Sequence, residues 1–159
     1  MRLLKDMGGN FLRVSHYPQD PTVLEYCDRN GIVASVEIPI INRIVETDEF
    51  AENCRTMMTE MIKQNFNHPS VLIWAYTNEV LLRLPYPISD PYYSTNSSNV
   101  EKLAQSLENI VRTLDKQRYT MIPNYGVVNR YYTAALTQIP RIVGWNLYQG
   151  WYSGKIKEK

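Results

Sequence analysis

The sequence predicts a parallel α/β fold. Three observations carry that expectation: five short apolar or β-branched runs recur along the chain, segments of helical period separate them, and polar side chains gather at the end of each run rather than inside it. A length of 159 residues suits one domain or a part of a larger one, and a 44% hydrophobic composition excludes a disordered segment. Lys+Arg at 17 nearly cancel Asp+Glu at 16, so neither a nucleic-acid footprint nor a polybasic membrane anchor is expected. The short lysine tail at Lys155, Lys157 and Lys159 does not alter this. No apolar run approaches the roughly 18 residues of a membrane span. The opening Met1-Arg2-Leu3-Leu4-Lys5-Asp6 lacks the apolar stretch of a signal peptide, which leaves the compartment open.

The elements follow in order. A strand is expected at 10–15, and Asp20-Pro21 then marks a helix start, with an acidic N-cap and proline at the first helical position. Gly31 ends that helix, and a second strand is expected at 32–38. Phe50, Ala51, Cys54, Met57, Met58, Met61 and Ile62 recur on one helical face. Their spacing makes the methionines core rather than a soft-metal surface, and Cys27 and Cys54, with no CxxC, are likewise expected in the core. The third strand, 71–76, is the most apolar. The insertion at 81–97, with Pro85, Pro87 and Pro91 among tyrosines, is too proline-rich for a regular element and follows a strand end, which makes it a candidate substrate wall. Ser98 with Glu101 reads as a capping box that opens a helix continued by Val100, Leu103, Ala104, Leu107, Ile110 and Leu114. A strand at 119–123, a short helix at 129–138 and a strand at 141–147 complete the series.

Parallel strands would bring their carboxyl ends to one rim. That rim would carry Arg13, Ser15, His16 and Tyr17, then Glu37, then Asn78 and Glu79, then Asn124 and Tyr125, and finally Asn146, Tyr148 and Trp151. Amides and charges bond sugar hydroxyls while aromatic faces pack on the ring, so this set suits a carbohydrate. Twelve Tyr and three Trp against three Phe fit the same use. Glycosidic cleavage asks for two carboxyl groups, one of them holding a proton. Glu79, at the end of the most apolar strand, has the desolvated setting that this task needs, with Asn78 beside it to hold a sugar hydroxyl. Glu37 is expected to pair internally with Arg13 rather than to act as nucleophile. His68, in Asn67-His68-Pro69-Ser70, falls at the opposite end and is expected to be structural.

Arg13-Val14-Ser15-His16-Tyr17-Pro18, Cys27-Asp28-Arg29-Asn30-Gly31-Ile32-Val33 leading to Glu37-Ile38-Pro39, and Asn67-His68-Pro69-Ser70-Val71 leading to Trp74 and Asn78-Glu79 are four-motif material when joined by Gly144-Trp145-Asn146-Leu147-Tyr148-Gln149-Gly150-Trp151-Tyr152. In this order they resemble the catalytic barrel of glycoside hydrolase family 2, the family of β-galactosidases, β-glucuronidases and β-mannosidases. The resemblance implies a partial (β/α)8 TIM barrel holding approximately strands 2 to 6 of 8. It implies a retaining mechanism, with Glu79 as general acid/base and Asn78 at the sugar 2-hydroxyl. His16 falls in the subsite of the non-reducing sugar, Arg13 and Tyr148 near the nucleophile, and Asn146 and Trp151 at the pocket mouth, with Arg13 and Glu37 supporting the residues that touch sugar.

The family nucleophile is a glutamate at the end of the seventh strand, and no such motif occurs in these 159 residues. The expectation is therefore an incomplete catalytic domain, without the first strand, the last two strands and the accessory sandwich domains, and with no more than trace activity alone. Ile40, Ile41, Asn42 and Arg43 lack the carboxylate and histidine pair of the magnesium site that the resemblance would imply from some large bacterial β-galactosidases of the family, so no metal and no cofactor are expected. The wording of 144–152 favours a β-galactoside as substrate; β-glucuronidase, β-mannosidase, or a non-catalytic carbohydrate-binding or complementing piece are the alternatives. Unpaired barrel edges suggest self-association.

Overall fold

A computed structural model describes residues 2–84, 86–126 and 128–151. Pro85, Tyr152 and the lysine tail lie outside the described residues. The order is α1 (Arg2–Asp6), β1 (Phe11–Val14), α2 (Pro21–Asn30), β2 (Val33–Glu37), α3 (Asp48–Asn65), β3 (Val71–Ala75), α4 (Tyr92–Leu114), β4 (Tyr119–Tyr125), α5 (Val128–Thr133) and β5 (Ile142–Asn146). The five strands form one parallel sheet in the order β1-β2-β3-β4-β5, so every strand lies beside its sequence neighbour. Sequential parallel strands joined by helices make half of a barrel.

Most helix boundaries follow from local chemistry. Asp20 Oδ1 accepts the Thr22 amide at 2.9 Å and Gly31 closes α2 in the left-handed conformation at φ 62°. Thr47 caps α3 by accepting the Phe50 amide at 3.2 Å. The start of α4 differs from expectation. It begins at Tyr92, so the last residues of the proline-rich insertion are helical and Ser98 lies inside the helix. The reason is a repeat of the α2 signal: Asp90 Oδ1 accepts the Tyr92 amide at 2.8 Å beside Pro91. α5 stops at Thr133 rather than at 138, because Ala135 turns left-handed at φ 55° and the Leu136 amide reaches back to Tyr131 O at 3.0 Å. Alanine in the place glycine usually takes left no sequence signal.

Alternate strand residues face two ways. Ala34, Val36, Trp74, Tyr76 and Ile122 meet Cys27, Cys54, Met58, Met61, Ile62, Leu103 and Leu107 in the main core. Both cysteines and the methionine stripe are thus interior, and burial pushes the Cys54 thiol up to about 11. On the concave face, Ile73, Ala75 and Met121 form a small second cluster with Ile142. None of the described helices is long and apolar enough to cross a membrane.

The amino ends of the strands are tied by polar clamps. His68 Nδ1 meets Asp28 Oδ2 at 2.6 Å, and the Ser70 amide donates to Asp28 Oδ1 at 2.9 Å, which fixes α2 to the start of β3. Trp74 Nε1 donates to Asp115 Oδ2 at 2.9 Å, and Arg118 Nη1 donates to the same oxygen at 2.9 Å while its Nε caps Val71 O. Burial works against the Asp115 charge, but the donors Trp74, Arg118 and the Gln117 and Arg118 amides outweigh it and hold the carboxyl well below the usual range. A lowered folded-state pKa contributes stability that is present above the unfolded value, about 4, and is lost as pH falls below it. Urea unfolding at pH 7, 4 and 3 is therefore expected to show stability falling in acid, and Asp115→Asn to flatten that slope while lowering stability at pH 7.

Candidate active site

The carboxyl ends of the strands meet at one edge of the sheet, and Glu79 lies at its centre, just past β3. Its backbone is left-handed at φ 52°, a conformation that costs a non-glycine residue roughly 1–3 kcal/mol and persists only where surrounding bonds enforce it. They do so here. The Glu79 amide donates to Pro123 O of β4 at 2.9 Å and the Leu82 amide donates to Glu79 O at 2.7 Å. One residue earlier, Asn78 is clipped to the loop after β2, with its amide on Ile40 O and its carbonyl accepting from Asn42, both at 2.8 Å. The left-handed turn aims the carboxyl across the concave face instead of along the strand.

Glu79 is 4% exposed. Its Oε1 accepts two hydrogen bonds, from Asn146 Nδ2 at the end of β5 at 2.7 Å and from the Tyr148 hydroxyl just beyond that strand at 2.6 Å. Oε2 has no partner among the described residues. A carboxyl gripped on one oxygen and open on the other can deliver a proton from a fixed position.

Arg13 organises the amides around it. The strand register pairs Arg13 with Ser35, so Arg13 and Glu37 share the concave face. Arg13 donates from Nη1 to Asn146 Oδ1 at 2.8 Å and from Nη2 to Asn78 Oδ1 at 2.8 Å. A guanidinium can only donate, so both amides must turn their oxygens toward it. Asn146 Nδ2 is thereby directed at Asn78 Oδ1, 2.9 Å away, and at Glu79. With both lone pairs of its oxygen taken, Asn78 has only its amide hydrogens left to offer a ligand.

Glu37 is 1% exposed and fully committed. Arg13 Nε donates to its Oε2 at 3.1 Å and Nη2 to Oε1 at 3.0 Å, and His16 Nδ1 adds a contact to Oε1 at 2.7 Å. The acceptor oxygen places the imidazole proton on Nδ1, which leaves Nε2 without a partner among the described residues. Glu37 is thus a brace beneath His16 and Arg13, not a free carboxylate.

Among the residues singled out in the sequence, the structure brings Arg13, His16, Glu37, Asn78, Glu79, Asn146 and Tyr148 into one bonded cluster. Tyr125 joins its edge, its ring 6.0 Å from that of Tyr148. Trp151 stands on the turn after β5, its amide on Tyr148 O at 3.0 Å and its side chain 80% exposed. Asn124 departs from expectation: it is fully buried, bonds Ile122 O at 3.3 Å, and shares the helix-facing side of β4 with Thr120, whose hydroxyl meets Glu108. Strand alternation turned it away from the rim. In the insertion, Tyr86 and Tyr92 pack edge to face at 4.8 Å, and Asn96 reaches Glu46 Oε1 at 2.6 Å, which ties α4 to the loop after β2. Sequence reasoning gave no role to Arg130, whose Nη1 donates to Leu81 O at 2.7 Å behind the Glu79 turn; its irregular surroundings offered no signal. No three His, Cys, Asp or Glu side chains converge as a metal set among the described residues.

Comparison with known proteins places this geometry in context. The family model for the TIM barrel domain of glycosyl hydrolases family 2 matches residues 1–154. A putative β-glucuronidase of Formosa agariphila is 34% identical over 157 residues, which are 99% of this chain and 18% of that protein. A β-glucuronidase of Bacteroides fragilis is 28% identical, over 98% of this chain and 21% of its own length. The solved structure of Bacteroides uniformis β-glucuronidase 2, covalently bound to cyclophellitol-6-carboxylate aziridine, superposes with a TM-score of 0.89 at 42% identity, covering 96% of this chain and 18% of that one. The chain therefore spans about a fifth of the length of these relatives.

Proposed function

Because the chain belongs to glycoside hydrolase family 2, as part of that family's TIM barrel domain, we propose that it forms the acid side of the active site of a retaining β-glucuronidase. The observation that carries this reading is the Glu79 carboxyl, buried past β3 with Oε1 gripped by Asn146 and Tyr148 and Oε2 open. In the first step Glu79 gives its proton to the glycosidic oxygen as the bond to the anomeric carbon breaks, and a second carboxylate attacks from the opposite face. Glu79 then takes a proton from the water that releases the sugar. The Asn78 amide hydrogens hold the ring hydroxyl beside the anomeric carbon, and His16 Nε2 faces the sugar.

Glu37 is too committed to be the attacking carboxylate, so that group comes from a segment other than these residues. A nucleophile supplied from elsewhere makes the chain inactive alone. The covalent cyclitol carboxylate in the Bacteroides uniformis relative favours both a covalent route and a substrate with a carboxylate at C6.

The galactoside preference drawn from 144–152 gives way to the glucuronide alternative. The relatives compared carry the β-glucuronidase name. There is also a physical reason: Asn146 and Tyr148 in that segment bond the Glu79 carboxyl, a partner needed for any sugar, so their identity says little about C6. The test compares 4-nitrophenyl β-D-glucuronide with the β-D-galactoside, using the chain alone and a polypeptide that joins it to strands completing the barrel. The expected result is no more than trace turnover alone. With the barrel completed, the glucuronide is expected to be favoured by about 100-fold or more, since a site built for a charged group rejects an analogue lacking it. Equal or faster galactoside hydrolysis would overturn the assignment.

A further inference from the structure

We propose that Arg130 and Tyr131 of α5 are positioning residues for the acid, joining the turn that carries Glu79 to the strand that grips its carboxyl. This rests on Glu79 being the proton donor. Three contacts support it. Arg130 Nη1 donates to Leu81 O at 2.7 Å, across 49 residues of sequence, and so reaches the turn from behind. Tyr131 is 1% exposed, and its ring meets Trp145 edge to face with centroids 6.2 Å apart. Trp145 immediately precedes Asn146, the residue whose Nδ2 holds Glu79 Oε1.

Two adjacent residues of one short helix thus touch both parts of the machinery. Arg130 steadies the backbone of the acid and Tyr131 steadies the strand that holds its oxygen. Burial, and to a lesser degree the nearby charge of Glu79, push the Tyr131 hydroxyl up to about 12, against the lowering effect of the Tyr125 and Leu81 backbone and of the Arg130 charge. A left-handed turn at Glu79 returns to ordinary backbone when its restraints are removed. Pro123 O restrains it from β4, Asn42 restrains the preceding residue, and Leu81 O is the point held from α5. α5 links β4 to β5, so it carries the restraint between the strand that holds the Glu79 amide and the one that holds the carboxyl.

The test has two arms. In the chain itself, native-state amide exchange follows Leu82, whose N–H bonds Glu79 O, against Val36 in β2. Arg130→Met is expected to speed Leu82 exchange by about tenfold or more with Val36 unchanged. Equal Leu82 exchange in both proteins would overturn the proposal whatever the enzyme's activity. In the barrel-completed polypeptide, kcat/KM is compared on an alkyl β-glucuronide, whose leaving group needs a proton, and on the 2,4-dinitrophenyl β-glucuronide, whose leaving group does not. Arg130→Met is expected to lose about 10- to 100-fold on the alkyl substrate and less than about threefold on the dinitrophenyl one, with Arg130→Lys intermediate. Equal losses on both, with a lower thermal midpoint, would mark a merely structural role and overturn the proposal. Absence of glucuronide turnover before any substitution would count against the glucuronidase reading, and the exchange arm would still decide this one.

Discussion

Replacing Glu79 by alanine is expected to cut glucuronide hydrolysis in the barrel-completed polypeptide by about 10²–10⁴ on substrates whose leaving group needs protonation. The loss should shrink as the leaving group becomes more acidic, because an activated phenolate departs without help. Added azide should then restore turnover with an activated substrate. It is small enough to use the space left by the side chain, attacks the anomeric carbon without base catalysis, and gives a β-glycosyl azide when the mechanism retains configuration. Steady-state rates across a leaving-group series, with product configuration by NMR, check all three points. A uniform loss across the series, with no azide product, would remove Glu79 from the acid role. Asn146 and Tyr148 would then be holding a structural carboxylate.

Trp74→Ala is expected to be the most damaging substitution for the fold. Trp74 is fully buried, packs in the main core, donates to Asp115 at 2.9 Å, and lies 5.4 Å beneath the Arg118 guanidinium. Truncating a buried tryptophan costs about 3–5 kcal/mol from packing alone, against a total of about 5–15 kcal/mol for an ordinary domain. The buried Asp115 carboxylate also loses a donor, which adds to the cost. A fall in thermal midpoint on the order of 10 °C is expected, or failure to fold. Calorimetry or circular dichroism measures it, and Trp74→Phe, which keeps most of the volume but not the N–H, separates the packing loss from the hydrogen bond. A midpoint unchanged in Trp74→Ala would show that the β3–α4 junction contributes little to stability.

Strand existence was legible because burial imposes it. A strand covered by helices needs an apolar run, and 71–76 has one; its ends are local, and the polar residues after it appear in the sequence as a break in that run. Asp20-Pro21 and Gly31 were readable for the same reason, since each acts within a few residues of itself. Asp90-Pro91 carried the same signal and was hidden by neighbouring prolines that had a different role. Asn124 was misplaced because its side depends on strand phase, and the strand runs two residues beyond the expected 119–123. The 144–152 segment is a weak guide to substrate for a related reason: Asn146 and Tyr148 bond the Glu79 carboxyl, and residues that serve the acid say little about the sugar.

From the sequence alone came the parallel α/β order, the family resemblance and the set of polar residues bound for one rim. These follow from local periodicity and from short motifs, whose physics lies within a few residues. Apart from the Arg13–Glu37 pair, which the sequence already suggested, tertiary structure decided which of those residues touch. Arg13 reaches Asn146 across 133 residues and Asn78 across 65, and Arg130 reaches Leu81 across 49. Such contacts are set by strand register and side-chain direction. Because a guanidinium only donates, it was the register placing Arg13 beneath both asparagines that fixed their orientation and left Glu79 with one oxygen held and one open.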